Sequence, residues 1–256
     1  MKKIRMFLAG AVCSLLLSGQ AMAHYGMIIP SDQTVVQGEN KTISLDLRFW
    51  HPMAGIPMPL AKPAHFDVIA NGKKVDLLNT LQSRIVKDKQ TWTSEYKIKR
   101  PGLYVFTMEP KPYWEPAEDK FIIHYTKVVV TAFGMDEGWD KPVGLKTEIV
   151  PLSKPYAEYT GNVFQGIVMM NGKPVPYSEV EVEYYNEDGT FTPPNDYYTT
   201  QTIKADANGV FTYAAPRAGW WGFAALNASD TPIKHDGVDK EVELGAIIWV
   251  NFVDMK

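Results

Sequence analysis

Thr42-Ile43-Ser44-Leu45-Asp46-Leu47-Arg48-Phe49 decides the fold class. Apolar and polar residues alternate along it, the period of a strand with one face in a core and the other in water. Outward from it the signature recurs: 66–69, 92–98, 103–108 and 121–133 are short runs rich in β-branched and aromatic residues. Asn71-Gly72 reads as a tight hairpin turn between 66–69 and Val75-Asp76-Leu77, and Arg100-Pro101-Gly102 punctuates two further strands. No stretch sustains a 3.6-residue period. Residues 77–86 are the one place with room for a short helix.

Pro151 and Pro155, in Ile149-Val150-Pro151-Leu152-Ser153-Lys154-Pro155-Tyr156, interrupt regular pairing and mark a boundary. Beyond them a second β module reads as strands at 162–170, 180–185, 210–213, 219–226 and 246–252. Turns fall at Asn171-Gly172-Lys173-Pro174, Glu187-Asp188-Gly189 and Asp206-Ala207-Asn208-Gly209. The whole module makes a sandwich of about seven strands. Its stretches 171–184 and 205–213 resemble the carboxypeptidase-regulatory or transthyretin-like sandwich, which implies a connecting and binding module rather than a hydrolase. The expected fold is all-β, with two tandem β-sandwich domains at 24–153 and 154–256.

Residues 1–23 read as a cleavable signal peptide. Lys2, Lys3 and Arg5 form the basic region, 6–17 the apolar one, and Ala21-Met22-Ala23 the cleavage site. The apolar run is too short to span a bilayer. Cys13, the only cysteine, lies within it, so the expected mature chain has no disulfide and is no lipoprotein. It is expected in the periplasm, without a transmembrane anchor. The formal net charge of −3 and the lack of any Lys/Arg-rich run exclude strong phosphate or nucleic-acid binding.

Nothing in the chain carries a nucleophile elbow, a phosphate loop or a His-Glu-x-x-His helix, so no enzyme activity is expected. The pairs Glu181/Glu183 and Glu241/Glu243 read as solvated strand faces. The five histidines are more informative. Cleavage after Ala23 leaves His24 at the amino terminus, where an α-amine and an imidazole from one residue chelate a single ion. His51 closes the 42–49 strand ahead of Pro52, and His124 interrupts the apolar 121–125 run, where a bare imidazole is costly unless paired. His24, His51 and His124 are therefore the expected metal ligands, a nitrogen set suited to Ni²⁺, Co²⁺ or Cu²⁺. His65, His235, Met53, Met58 and Glu115 are left open as ligands, neighbours or packing residues. The Pro- and Trp-rich loop 110–116, which carries Glu115, either walls the site or docks a partner.

Together, 24–31, Phe49-Trp50-His51-Pro52-Met53, 113–134, 148–156 and 216–250 resemble a bacterial periplasmic family of nickel/cobalt-uptake accessory proteins. The resemblance implies a protein that binds Ni²⁺ or Co²⁺ and delivers it to an ABC-type or energy-coupling importer. His24, His51 and His124 fall at the matching positions. Two other readings stand beside it. One is a periplasmic copper-binding protein with an N-terminal His chelate, an arrangement also found in lytic polysaccharide monooxygenases. The other is a structural or interaction module without metal.

Overall fold

The computed structural model describes residues 24–255, so the signal-peptide reading of 1–23 lies outside the described residues. The protein is all-β. Its only helical pieces among the described residues are the 3-10 turns Leu78–Thr80 and Asp196–Tyr198.

Three main sheets and a small hairpin make up the described residues. Tyr25–Pro30, Thr42–His51, Lys89–Lys97 and Gln82–Val86 follow one another in a first sheet, with Ile56–Met58 added beside Thr42–His51. Lys120–Ala132 and Val242–Val253 lie at the middle of an eleven-stranded sheet. A third sheet joins Thr147–Pro151, Val163–Met170, Lys173–Pro174 and Val210–Ala214. Ile233–His235 and Val238–Lys240 make the hairpin.

Strands from either side of residue 153 meet in the large sheet. Lys120–Ala132 pairs in parallel with Val242–Val253, from Phe121↔Val242 through Val128↔Trp249. Parallel strands of this kind are covered on both faces, and both strands are buried almost throughout. The two-residue period then divides their side chains between two cores. Ile247 and Trp249 join Tyr25, Ile28, Leu45, Phe106 and Val128 in one. Ala246, Ile248 and Val250 join Phe164, Val180, Phe211 and Phe223 in the other.

The expected alternation holds in Thr42–His51, where Ile43, Leu45 and Leu47 are buried and Ser44 is exposed. It fails at Arg48, also buried, because Tyr185 from the other half of the chain covers that face. Tyr185 Oη takes a hydrogen bond from Arg48 Nη1, while Asp46 pairs with Nη2 at 2.7 Å. Asn71 and Gly72 sit at φ 50° and 70°, both positive as a two-residue type I′ turn requires.

The short helix that 77–86 had room for does not form. Leu78–Thr80 forms a single 3-10 turn, and Gln82–Val86 pairs with Lys89–Lys97 around a turn at Lys87 and Asp88. This edge strand is exposed over all but its last residue and shows no alternation, so its backbone pairing, not its pattern, makes it a strand.

One ion pair is sealed between the sheets. Lys127 Nζ lies 2.6 Å from Glu148 Oε2, and the carboxylate also accepts from the backbone N–H groups of Val143 and Gly144. Burial pulls the Lys127 pKa below its ordinary value, against the opposing pull of Glu148. Removing one partner strands a buried charge, at a cost of about 3–5 kcal/mol. Glu148→Gln is expected to lower unfolding stability by that order in urea titration. The Lys127→Met/Glu148→Leu double variant is expected to recover most of the loss.

Candidate functional site

The site begins where Tyr25–Pro30 meets Thr42–His51. Their last antiparallel pair is Tyr25↔Trp50, and one step beyond it stand His24 and His51. The two imidazole centroids are 4.5 Å apart, with the rings tilted by 52°. Phe49 lies between His24 and His124, its centroid 5.6 Å from the first, stacked, and 5.8 Å from the second, edge-on. The register thus brings the histidines at 24 and 51 together, and sheet packing adds the one at 124.

Glu115 is delivered by a different route. The short strand Tyr113–Glu115 pairs back on Lys120–Ala132, with Glu115 opposite Lys120. Its Oε2 lies 2.9 Å from His24 Nε2, and its Oε1 accepts from Ala117 N–H at 2.9 Å, which fixes the carboxylate. Tyr113 closes the wall, its ring 6.2 Å from His24 and 5.0 Å from Phe49.

His124 is held from behind. Its Nε2 lies 3.3 Å from Glu243 Oε1, while Lys120 Nζ donates to the other oxygen of that carboxylate at 2.6 Å. His124 Nδ1 is buried without a hydrogen-bond partner among the described residues. Its register partner is Gly245, where a Cβ would stand 2.4 Å from the ring, so the site needs glycine there.

Electrostatics set the charge of each group. Burial, then repulsion from His51 and His124, lowers His24 from 6.5 to about 4, although Glu115 and Glu118 pull the other way. Near neutral pH the His24 imidazole is therefore uncharged, the form that binds metal. Burial raises the Glu243 carboxyl, but the bond and charge of His124 and those of Lys120 overcome it and hold the group at about 2. His24 is thereby driven towards its neutral form and Glu243 towards its ionised one.

The remaining expected or open residues fall elsewhere. His65 is exposed at the start of His65–Ala70, opposite Glu109. His235 stacks on Trp114 at 3.9 Å and 18°, so it supports the Tyr113–Glu115 strand from outside. Met58 fills the first core, and Met53 is buried with its N–H bonded to Glu183. Among the described residues, no three His, Cys, Asp or Glu side chains already converge as a metal cage.

The carboxylate pairs read as solvated need correction. Glu183 is 1% exposed, accepting from Thr200 Oγ1 and Met53 N–H, and burial raises it to about 8. Burial, with the Glu243 charge, raises Glu181 to about 7. Glu243 holds His124. Only Glu241 is an exposed carboxylate as expected. Alternation on a strand signals water on one face only when nothing else packs there.

The model of a family described as Domain of unknown function (DUF4198) matches residues 21–229. No curated protein matches. Among solved structures, Dpr11 IG1 bound to DIP-gamma IG+IG2 is 12% identical, covering 87% of this chain and 98% of that one at a TM-score of 0.22. The Yersinia pseudotuberculosis adhesin InvE is 10% identical over 86% of this chain and 58% of its own, at 0.25. Titin A168169 is 10% identical over 89% and 99%, at 0.23. At such scores these likenesses carry no argument; the all-β class rests on the strands themselves.

The depressed pKa of His24 has a definite sign in stability. The folded state releases the proton more readily than the unfolded chain, so this contribution is complete above pH 6.5 and is lost as pH falls through about 4. Its size is at most about 3 kcal/mol. In chemical denaturation between pH 7 and 4, the wild type is expected to lose more stability than His24→Gln. Equal slopes for the two proteins would show that the ring titrates normally.

Proposed function

This chain is a member of the family described as Domain of unknown function (DUF4198), and we propose that it is a periplasmic protein that captures nickel or cobalt ions and passes them to an uptake transporter. The observation that carries the reading is the buried His24 imidazole, set 4.5 Å from the His51 ring and 2.9 Å from the Glu115 carboxylate, with burial driving it towards its neutral form. Imidazole and carboxylate donors of this kind suit first-row divalent ions.

The set is short of one strong donor as long as residue 24 is joined to Ala23 by a peptide bond, because an amide N–H is not a ligand. Signal-peptide cleavage at that bond would turn the nitrogen into an amine and complete a chelate on His24. His51 would supply a second imidazole, and the unpartnered Nδ1 of His124 is the nitrogen left over for a third. Met53 gives its N–H to Glu183, while Met58 packs in the first core in register with Phe49. Cu²⁺ would still bind the same nitrogens more tightly than nickel in a test tube, as it does almost any such site. The physiological cargo is therefore read from metal content rather than from affinity rank. No helix among the described residues is long and apolar enough to cross a membrane, which fits delivery by docking to an importer.

Calorimetric titration with Ni²⁺, Co²⁺ and Cu²⁺ tests the reading on protein whose His24 amino terminus is confirmed by mass spectrometry. His24→Ala, His51→Ala and a form with one extra residue before His24 are each expected to weaken binding at least about tenfold. Equal, weak affinity in all four proteins would overturn the metal reading and leave an interaction module. Metal analysis of protein drawn from the native compartment then decides among nickel, cobalt and copper.

A further inference from the structure

Away from the histidines, the second core opens on a cavity of about 560 Å³. Tyr184, Phe191, Tyr198, Tyr213 and Trp221 line it, with Arg217 at one side. We propose that this cavity binds an amphipathic organic anion whose planar apolar rings lie among these aromatic side chains and whose acidic head pairs with Arg217. The proposal stands independently of the metal reading.

The walls are built largely on strands. Tyr184, Tyr213 and Trp221 project from three different strands, Glu179–Tyr184, Val210–Ala214 and Gly219–Ala228. Tyr184 and Tyr213 pack on Trp221 with centroids 5.4 and 5.8 Å away. Trp221 Nε1 donates to the carbonyl of Arg217 at 3.0 Å, which ties the loop carrying the cation to the wall. Phe191 is fixed through its backbone, its N–H and carbonyl both bonded to the Asn186 side chain. Tyr198, 53% exposed, stands at the mouth. A cavity of this size, apolar over most of its lining and carrying few polar groups, is what small-molecule sites generally look like.

Arg217 supplies the head-group preference. Its guanidinium lies over the Tyr184 ring at 4.5 Å and the Phe191 ring at 4.9 Å, and it forms no ion pair among the described residues. The exposed Asp188 is within electrostatic reach of it but makes no contact. A guanidinium stacked on two rings keeps its N–H fork available, and that fork matches a carboxylate or sulfonate. The rings meanwhile offer a large apolar area at little entropic cost.

Two fluorescent probes that differ only in the anion separate these contributions: 8-anilino-1-naphthalenesulfonate and N-phenyl-1-naphthylamine. The folded wild type is expected to bind the sulfonate saturably and at least about tenfold more tightly than the uncharged probe. In Arg217→Met, which keeps an apolar stem, that preference is expected to vanish while the uncharged probe still binds. Tyr198→Ala is expected to weaken both probes alike. Near-UV circular dichroism and a cooperative melt establish that each protein is folded, since the sulfonate also stains loosened states. Three results would overturn the proposal: no saturable binding, equal affinity of the wild type for the two probes, or a sulfonate preference that survives in Arg217→Met.

Discussion

Everything in this molecule hangs on the parallel seam between Lys120–Ala132 and Val242–Val253. A parallel pair has to be covered on both faces, so the seam calls for a core on each side and draws one from each half of the chain. It also assembles the candidate site. His124 lies on the first strand and Glu243, which holds its ring, on the second. The strand bearing Glu115 pairs onto the first of them near its start. The Trp249 indole donates to the carbonyl of Gly26 at 2.8 Å, tying the strand that begins beside His24 to the seam. The approach is close enough that a Cβ at Gly26 would stand 2.3 Å from Thr126 Oγ1 and 3.2 Å from His124 Cβ. The seam thus places His124 and its Glu243 partner against the pair that the first sheet supplies.

Local chemistry made part of this legible. Alternation in 42–49 identified a half-buried strand, and Asn71-Gly72 identified its turn, because both are properties of a few adjacent residues. Gln82–Val86 escaped notice because an exposed edge strand needs no apolar face. The seam escaped notice for a different reason: parallel partners lie more than a hundred residues apart, and nothing within either run names the other. Arg48 shows the same limit at one residue, since its burial is decided by Tyr185.

The site divides along similar lines. The histidines at 24, 51 and 124 stood out by scarcity and placement, and the structure gathers them around Phe49. Glu115 could be seen as a neighbour but not as the partner of His24, because that depends on a turn in a proline-rich loop. Glu243 was hidden by its own pattern. Two glutamates at alternate positions look like a wet strand face, and only the seam shows that one of them faces a buried imidazole. Glu181 and Glu183 were misleading in the same way.

The charges of the site follow from where water is excluded. His24 and Glu243 are both removed from solvent, yet the first is driven to its neutral form and the second to its ionised one. Desolvation disfavours charge in both; at His24 it is the largest cause and two imidazoles add to it, whereas at Glu243 the bonds and charges of His124 and Lys120 overcome it. A site meant only to stabilise the fold would gain little from a neutral imidazole pressed against another imidazole. In the proposed reading, one that awaits a cation gains more, because the His24 ring need not shed a proton before it can bind. In the proposed reading the remaining control is the bond before His24. While it is intact, the nitrogen there is an amide and the donor set is incomplete. Once it is cut, an amine stands beside an imidazole already held in its metal-binding form, and capture becomes a property of the processed protein alone.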